Sequence, residues 1–151
     1  MKQHKKILIV SLSTLVLALA LACGGGGTPI PMSDVPVYDG ATSTTTGDDP
    51  MVDLVIESME AAVAGENITM ETKAYALPDD VTWSDVKSFY NDKLEGTDWK
   101  PADELTDESL EEFKTIGWQR GGMSSEQLLV VGYLPDLFGD GATLLVMLFS
   151  E

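Results

Sequence analysis

Two nearly continuous apolar runs near the C-terminus, Leu128-Leu129-Val130-Val131 and Leu144-Leu145-Val146-Met147-Leu148-Phe149, constrain the fold more than any other part of this chain. Periodicity alone does not separate such runs from buried helix, but their length and the nearby Gly132 and Pro135 favour strands. Strands are therefore expected over 127–134 and 142–150, both placed centrally in a sheet and joined by a hairpin loop at 135–141. A third strand is expected over 115–120.

Upstream, helical and strand periods alternate. Asp49-Pro50 starts a helix, with Asp as N-cap and Pro at the first helical position, and Gly65 stops it. Between them Val52, Val55, Ile56, Met59 and Val63 form one apolar stripe, with Asp53, Glu57 and Glu60 largely off it. Over 68–77, Ile68, Met70, Ala74 and Ala76 alternate with Thr69, Glu71 and Lys73, the period of a half-buried strand. Thr82 then caps a second helix, with Asp85 as its capping-box partner, a stripe of Val86, Phe89, Tyr90 and Leu94, and Gly96 at its end. The acid-rich stretch 103–114 has only Leu105, Leu110 and Phe113 as large apolar residues and reads as a short exposed helix or turn from about Asp107.

A helix, a strand, a second helix and then mostly strands is an α+β order. The expected architecture is an antiparallel sheet of four to five strands with the two main helices packed on one face. The 101 residues of 51–151 suffice for one core and are too few for two domains. Cys23 is the only cysteine, so no intramolecular disulfide can form and the apolar core must hold the domain together.

The N-terminus is of a different kind. Lys2, Lys5 and Lys6 precede an apolar run from Ile7 to Ala22, interrupted by Ser11, Ser13 and Thr14, and the run ends Leu19-Ala20-Leu21-Ala22-Cys23. A basic start, an apolar middle and small residues at the cut make residues 1–22 a signal peptide. The run is short for a permanent membrane span, which needs about 20 apolar residues. Leu19 to Cys23 resembles the lipobox of bacterial lipoproteins, with Ala20 where leucine is usual. The resemblance implies cleavage before Cys23, acylation of its thiol and a lipid-anchored, extracytoplasmic protein at the cell membrane or outer membrane. Ala20-Leu21-Ala22 also reads as an ordinary A-x-A signal-peptidase site, which would leave the protein secreted and unlipidated.

Residues 23–50 are rich in Gly, Thr, Pro, Ser and Asp and read as a flexible linker between Cys23 and the domain. Within them, Val35-Pro36-Val37-Tyr38-Asp39-Gly40-Ala41 is an extended segment ending in an Asp-Gly turn, with Val37 and Tyr38 available to dock on the domain. This stretch resembles the V-P-x-Y-x-G-A segment near the start of small uncharacterised bacterial lipoproteins. Val86-Lys87-Ser88-Phe89-Tyr90 followed by Trp99 resembles the same family's Phe-Tyr helix and Gly-Trp pair, although Thr97-Asp98 stands before the tryptophan here. The family implies no activity.

Charge and residue usage exclude much chemistry. Three of the nine Lys and Arg lie in the leader, leaving six against 25 acids, a formal charge of −19 from Cys23 onward. Such a surface repels nucleic acid, so no nucleic-acid partner is expected. The one histidine, His4, is in the leader, which removes histidine-based triads, histidine-ligated zinc and histidine pH switching from the mature chain. With Cys23 acylated there is no free thiol either, so no enzyme is expected; a small carboxylate-dependent envelope hydrolase is the catalytic alternative. No cofactor is expected.

Four candidate sites follow. Asp136 to Gly141 resembles part of a calcium loop, but Phe138 and Met147 stand where the third and twelfth positions need ligands, so no metal is assigned. Glu104, Glu108, Glu111 and Glu112 would share a face if helical and could then draw a cation weakly. Gly121-Gly122-Met123-Ser124-Ser125 lacks a nucleophile-elbow pattern and reads as a strand connection. Tyr75, Trp83, Trp99, Trp118 and Tyr133 are the candidates for a ligand groove, their alternative role being core anchors. The expected partners are the membrane, through lipid on Cys23, and an envelope protein or small ligand bound by a noncatalytic domain.

Overall fold

A computed structural model of the chain describes residues 28–45, 49–121, 126–136 and 141–151. The leader 1–22, Cys23, the glycines after it, residues 122–125 of the strand connection and residues 137–140 of the hairpin loop lie outside the described residues. In chain order the elements are β1 (Thr42–Thr44), α1 (Pro50–Val63), β2 (Thr69–Ala76), α2 (Trp83–Leu94), β3 (Lys100–Pro101), β4 (Lys114–Arg120), β5 (Gln127–Leu134) and β6 (Thr143–Ser150), with short 3-10 turns at Met32–Asp34 and Asp103–Leu105. The strands form one antiparallel sheet in the order β1-β2-β6-β5-β4-β3.

The helix ends are those the local chemistry dictates. Asp49 Oδ1 accepts from the N–H groups of Met51 and Val52, satisfying two donors that the first turn of α1 leaves free. At α2 the capping box is complete: Thr82 Oγ1 accepts from Asp85 N–H while the Asp85 carboxylate accepts from Thr82 N–H at 2.8 Å. The Thr82 hydroxyl also donates to this carboxylate, and that bond first, then the one from Thr82 N–H, favours ionised Asp85 and lowers its pKa. Gly65 and Gly96 follow the two helices with positive φ, a conformation that side chains resist.

β6 lies between β2 and β5, and β5 between β6 and β4, so the two apolar strands are central as expected. Three expectations need correction. The sheet has six strands rather than four to five, because the three-residue β1 and the two-residue β3 form its edges. Segments that short carry no readable alternation. Second, the helices do not share a face. Leu129, Val131, Leu144, Val146 and Leu148 pack with Trp83, Val86, Tyr90 and Leu94 of α2. The alternate residues Leu128, Val130, Leu145, Met147 and Phe149 pack with Val52, Val55, Met59 and Val63 of α1. Because successive side chains in a strand point to opposite faces, α1 and α2 cover opposite sides, and the fold is a three-layer sandwich. Strands without polar alternation demand that arrangement.

The third correction concerns the linker. Residues 30–44 are part of the folded unit. Met32 and Val35 are each 4% exposed and lie in the α2-side core, with Ile30, Tyr38 and Ala41 packed against it. Tyr38 packs against Phe89 of α2 at 5.1 Å between ring centroids, the rings tilted at 55°, and β1 then joins the edge of β2 through Thr42↔Ala76 and Thr44↔Ala74. Ile30 is held at the other end of the sheet by Gln127, the first residue of β5. A single helix is too narrow to cover a six-stranded face, and this segment lies over the part that α2 leaves open.

The opposite face is completed in the same manner by the connection between β3 and β4. Leu105 packs on Gly117 and Phe113 on Gly132, where any side chain on the strand would collide with them. Over 107–113 the chain bends and forms no α-helix; it instead runs beside β4, with Asp107 and Thr115 exchanging main-chain hydrogen bonds at 3.1 and 2.8 Å. The shared face expected of Glu104, Glu108, Glu111 and Glu112 is therefore absent.

Candidate functional site

The five aromatic candidates come from four strands or helices and one loop, and the fold does bring them together. Tyr75 of β2, Trp83 of α2, Trp99, Trp118 of β4 and Tyr133 of β5 all belong to the layer between the sheet and α2. All but Tyr133, which is half-buried, are buried, and Trp118 is 2% exposed. They serve there as core anchors. Two pairs show the packing: Trp83 with Tyr133 and Tyr90 with Trp118, each at 5.9 Å between centroids and tilted.

Tyr90 sits at the centre of this layer. It is fully buried, and its hydroxyl has no hydrogen-bond partner among the described residues. Burial, and secondarily the nearby Tyr75, push its pKa well up, so the phenol stays protonated. Tyr75 is raised by burial too. The periodicity of α2 marks Tyr90 as a stripe residue, but nothing in that pattern distinguishes a phenol from a phenylalanine.

Besides the Tyr75 and Tyr90 hydroxyls within it, the layer has polar contacts at its rim. Trp83 Nε1 donates to Glu108 Oε1 at 2.5 Å, and Lys87 Nζ lies 2.6 Å from the same oxygen and 5.8 Å from the centre of the Trp83 ring. The Lys87 and Trp83 hydrogen bonds hold Glu108 below the usual carboxylate range. Glu108 thus ties the β3–β4 connection to α2. At the other end of α2, the Arg120 guanidinium lies 5.4 Å from the centre of the Trp99 ring and 3.4 Å from Asp98. Both rims read as clamps on the packing, worth little individually because they are partly solvated.

Glu126 and Gln127, at the start of β5, carry polar groups that sequence reasoning missed. Glu126 is 7% exposed with Oε1 unpartnered among the described residues. Burial, then repulsion from Glu151 and Glu104, raises its pKa. Gln127 is buried and its amide is fully used by Ile30 and Ser150. Charged and amide residues in front of an apolar run look like an exposed strand end, so no local signal marked them.

Among the described residues, no group of three or more His, Cys, Asp or Glu is placed to hold a metal ion, and no helix is long and apolar enough to cross a membrane. No protein-family model matches the chain, and neither does any curated protein or solved structure.

Proposed function

We propose that the chain is a membrane-anchored extracytoplasmic lipoprotein whose α+β domain is a noncatalytic binding or interaction module at the cell envelope. The observation that carries it is the leader: a basic start, an apolar run and small residues against the only cysteine, Cys23. One acyl chain binds membranes marginally, whereas two or more, at about 0.8 kcal/mol per buried methylene, attach a protein stably. A body with a formal charge of −19 has no electrostatic means of staying near anionic lipid.

Burial of Trp83, Trp99 and Trp118 supports contact through the acidic outer surface over capture of a small ligand in an aromatic groove. The preferred partner is accordingly an envelope protein.

Mass spectrometry of the wild-type N-terminal peptide tests the anchor. Cys23 should carry acyl-glyceryl mass, and Cys23→Ala should release the protein from membranes or leave the leader uncut. A free thiol on Cys23 in a soluble mature chain would overturn the reading.

A further inference from the structure

The geometry points to an end-on presentation: the sheet end bearing Gln127 and Ser150 faces the lipid, and the end bearing Leu77, Val81 and Tyr133 faces away. This rests on acylation of Cys23. The point at which the tether leaves the domain is defined by Ile30, whose N–H and C=O are both bound by the Gln127 amide at 2.8 and 2.9 Å. Gln127 in turn pairs with Ser150, and Thr69 with Ser150 on the other side of β6, so the exit lies at the end shared by β2, β5 and β6.

Ile30 is seven residues after Cys23. At 3.3–3.6 Å per residue that chain reaches at most about 25 Å. The eight-residue strands β5 and β6 are themselves about 25 Å long, at roughly 3.3 Å per residue. The tether is therefore no longer than the domain and cannot turn the far end onto the lipid without lying fully extended along the domain's side.

Charge selects among the orientations that remain. Acids lie at both ends, Asp39, Asp80 and Asp85 around Tyr38 at the far one and Glu126 with Glu151 and Glu104 close by at the near one, so it is the negative charge of the whole body that acts. The outer side of α1 carries Glu57 and Glu60, both exposed. A negative body held at one end is pushed off an anionic surface until its mean distance is greatest, within the roughly 8 Å screening length of physiological salt. That position is upright on the tether.

The test uses the full acylated protein on vesicles containing anionic lipid and a headgroup-linked acceptor dye. Acylation occupies Cys23, so a single introduced thiol takes the donor dye: Asn67→Cys at the near end or Ser84→Cys at the far end, both exposed positions. Energy transfer is expected to be several-fold more efficient from position 67. Inserting about 20 Gly and Ser residues between Gly27 and Thr28 should remove most of that difference, because a coil of that length spans roughly 25 Å in any direction. Equal or reversed transfer in the vesicle-bound protein would overturn the orientation while leaving the anchor intact. A chain that fails to bind vesicles and lacks acyl mass on Cys23 would overturn the anchor and the orientation with it.

Discussion

The side-chain amide of Gln127 does for the main chain of Ile30 what a neighbouring strand would do: Oε1 accepts from its N–H at 2.8 Å and Nε2 donates to its C=O at 2.9 Å. Nε2 also donates to Ser150 Oγ at 2.9 Å. Gln127→Leu keeps the bulk and leaves the Ile30 groups unpaired, so it should cost about 1–3 kcal/mol. The measurement is the urea midpoint at unchanged slope; a midpoint equal to wild type would show that solvent replaces both bonds.

Truncation tests where the folded unit begins. A chain starting at residue 48 loses β1 and the burial of Met32 and Val35. At about 1.5–3 kcal/mol for each buried side chain, the loss should be about 3–6 kcal/mol. A chain starting at residue 28 should melt with the wild-type midpoint, followed by circular dichroism. Equal midpoints for the two truncations would place the boundary near residue 50 after all.

Gly117 should tolerate nothing larger. An added β-carbon would stand 2.3 Å from Leu105 Cβ, an atom tied closely to the backbone, so Gly117→Ala should destabilise by about 1–3 kcal/mol despite alanine's lower chain entropy when unfolded. At Gly132 the collision is with the outer ring atoms of Phe113. That ring can swing aside, and Gly132→Ala should cost less. Comparison of the two thermal midpoints decides it.

The pH dependence of Glu126 has a definite sign. Its folded pKa is raised by burial and by Glu151 and Glu104, so the folded chain holds this proton more tightly than the unfolded one. The resulting stabilisation is complete below the ordinary carboxyl value of 4.5 and is lost as pH rises through the folded pKa. Glu126→Gln removes the ionisation. Its stability relative to wild type should therefore be higher at pH 7.5 than at pH 4, as read from denaturant midpoints at both; a difference independent of pH would mean that Glu126 is solvated in the folded state.

Much of the fold was legible because it is local. Asp49-Pro50, the Thr82–Asp85 box and the stripes of Val52 and Val86 carry their own instructions, and the resulting helices start where these residues place them. The apolar run around Leu129 was legible as a central strand. Its further implication, a helix on each face, was equally present, since Leu128 and Leu129 point opposite ways and both are buried. Ile30 to Tyr38 was a different problem. Only Met32 and Val35 go deep, among prolines and polar residues, and the partner that anchors the segment lies 97 positions away. For the candidate site, aromatic composition told which residues gather but not that Tyr90 and Trp118 would close the layer, because tight closure depends on tertiary packing.

The central place of β6 has a consequence for the order in which the protein comes into being. β6 follows all the other described elements in chain order, yet β2 pairs with it along its whole length, Thr69 reaching Ser150 across 81 positions, and so does β5. Contacts this distant in sequence form slowly, because long loops must close before any of them is gained. Until Thr143–Ser150 is free, β2 has no neighbour on its inner side, and the hydrophobic rows of β5 stay open on one flank. A ribosome that still grips β6 therefore holds two separated halves of a sheet, and release of that strand is the event that lets the halves join.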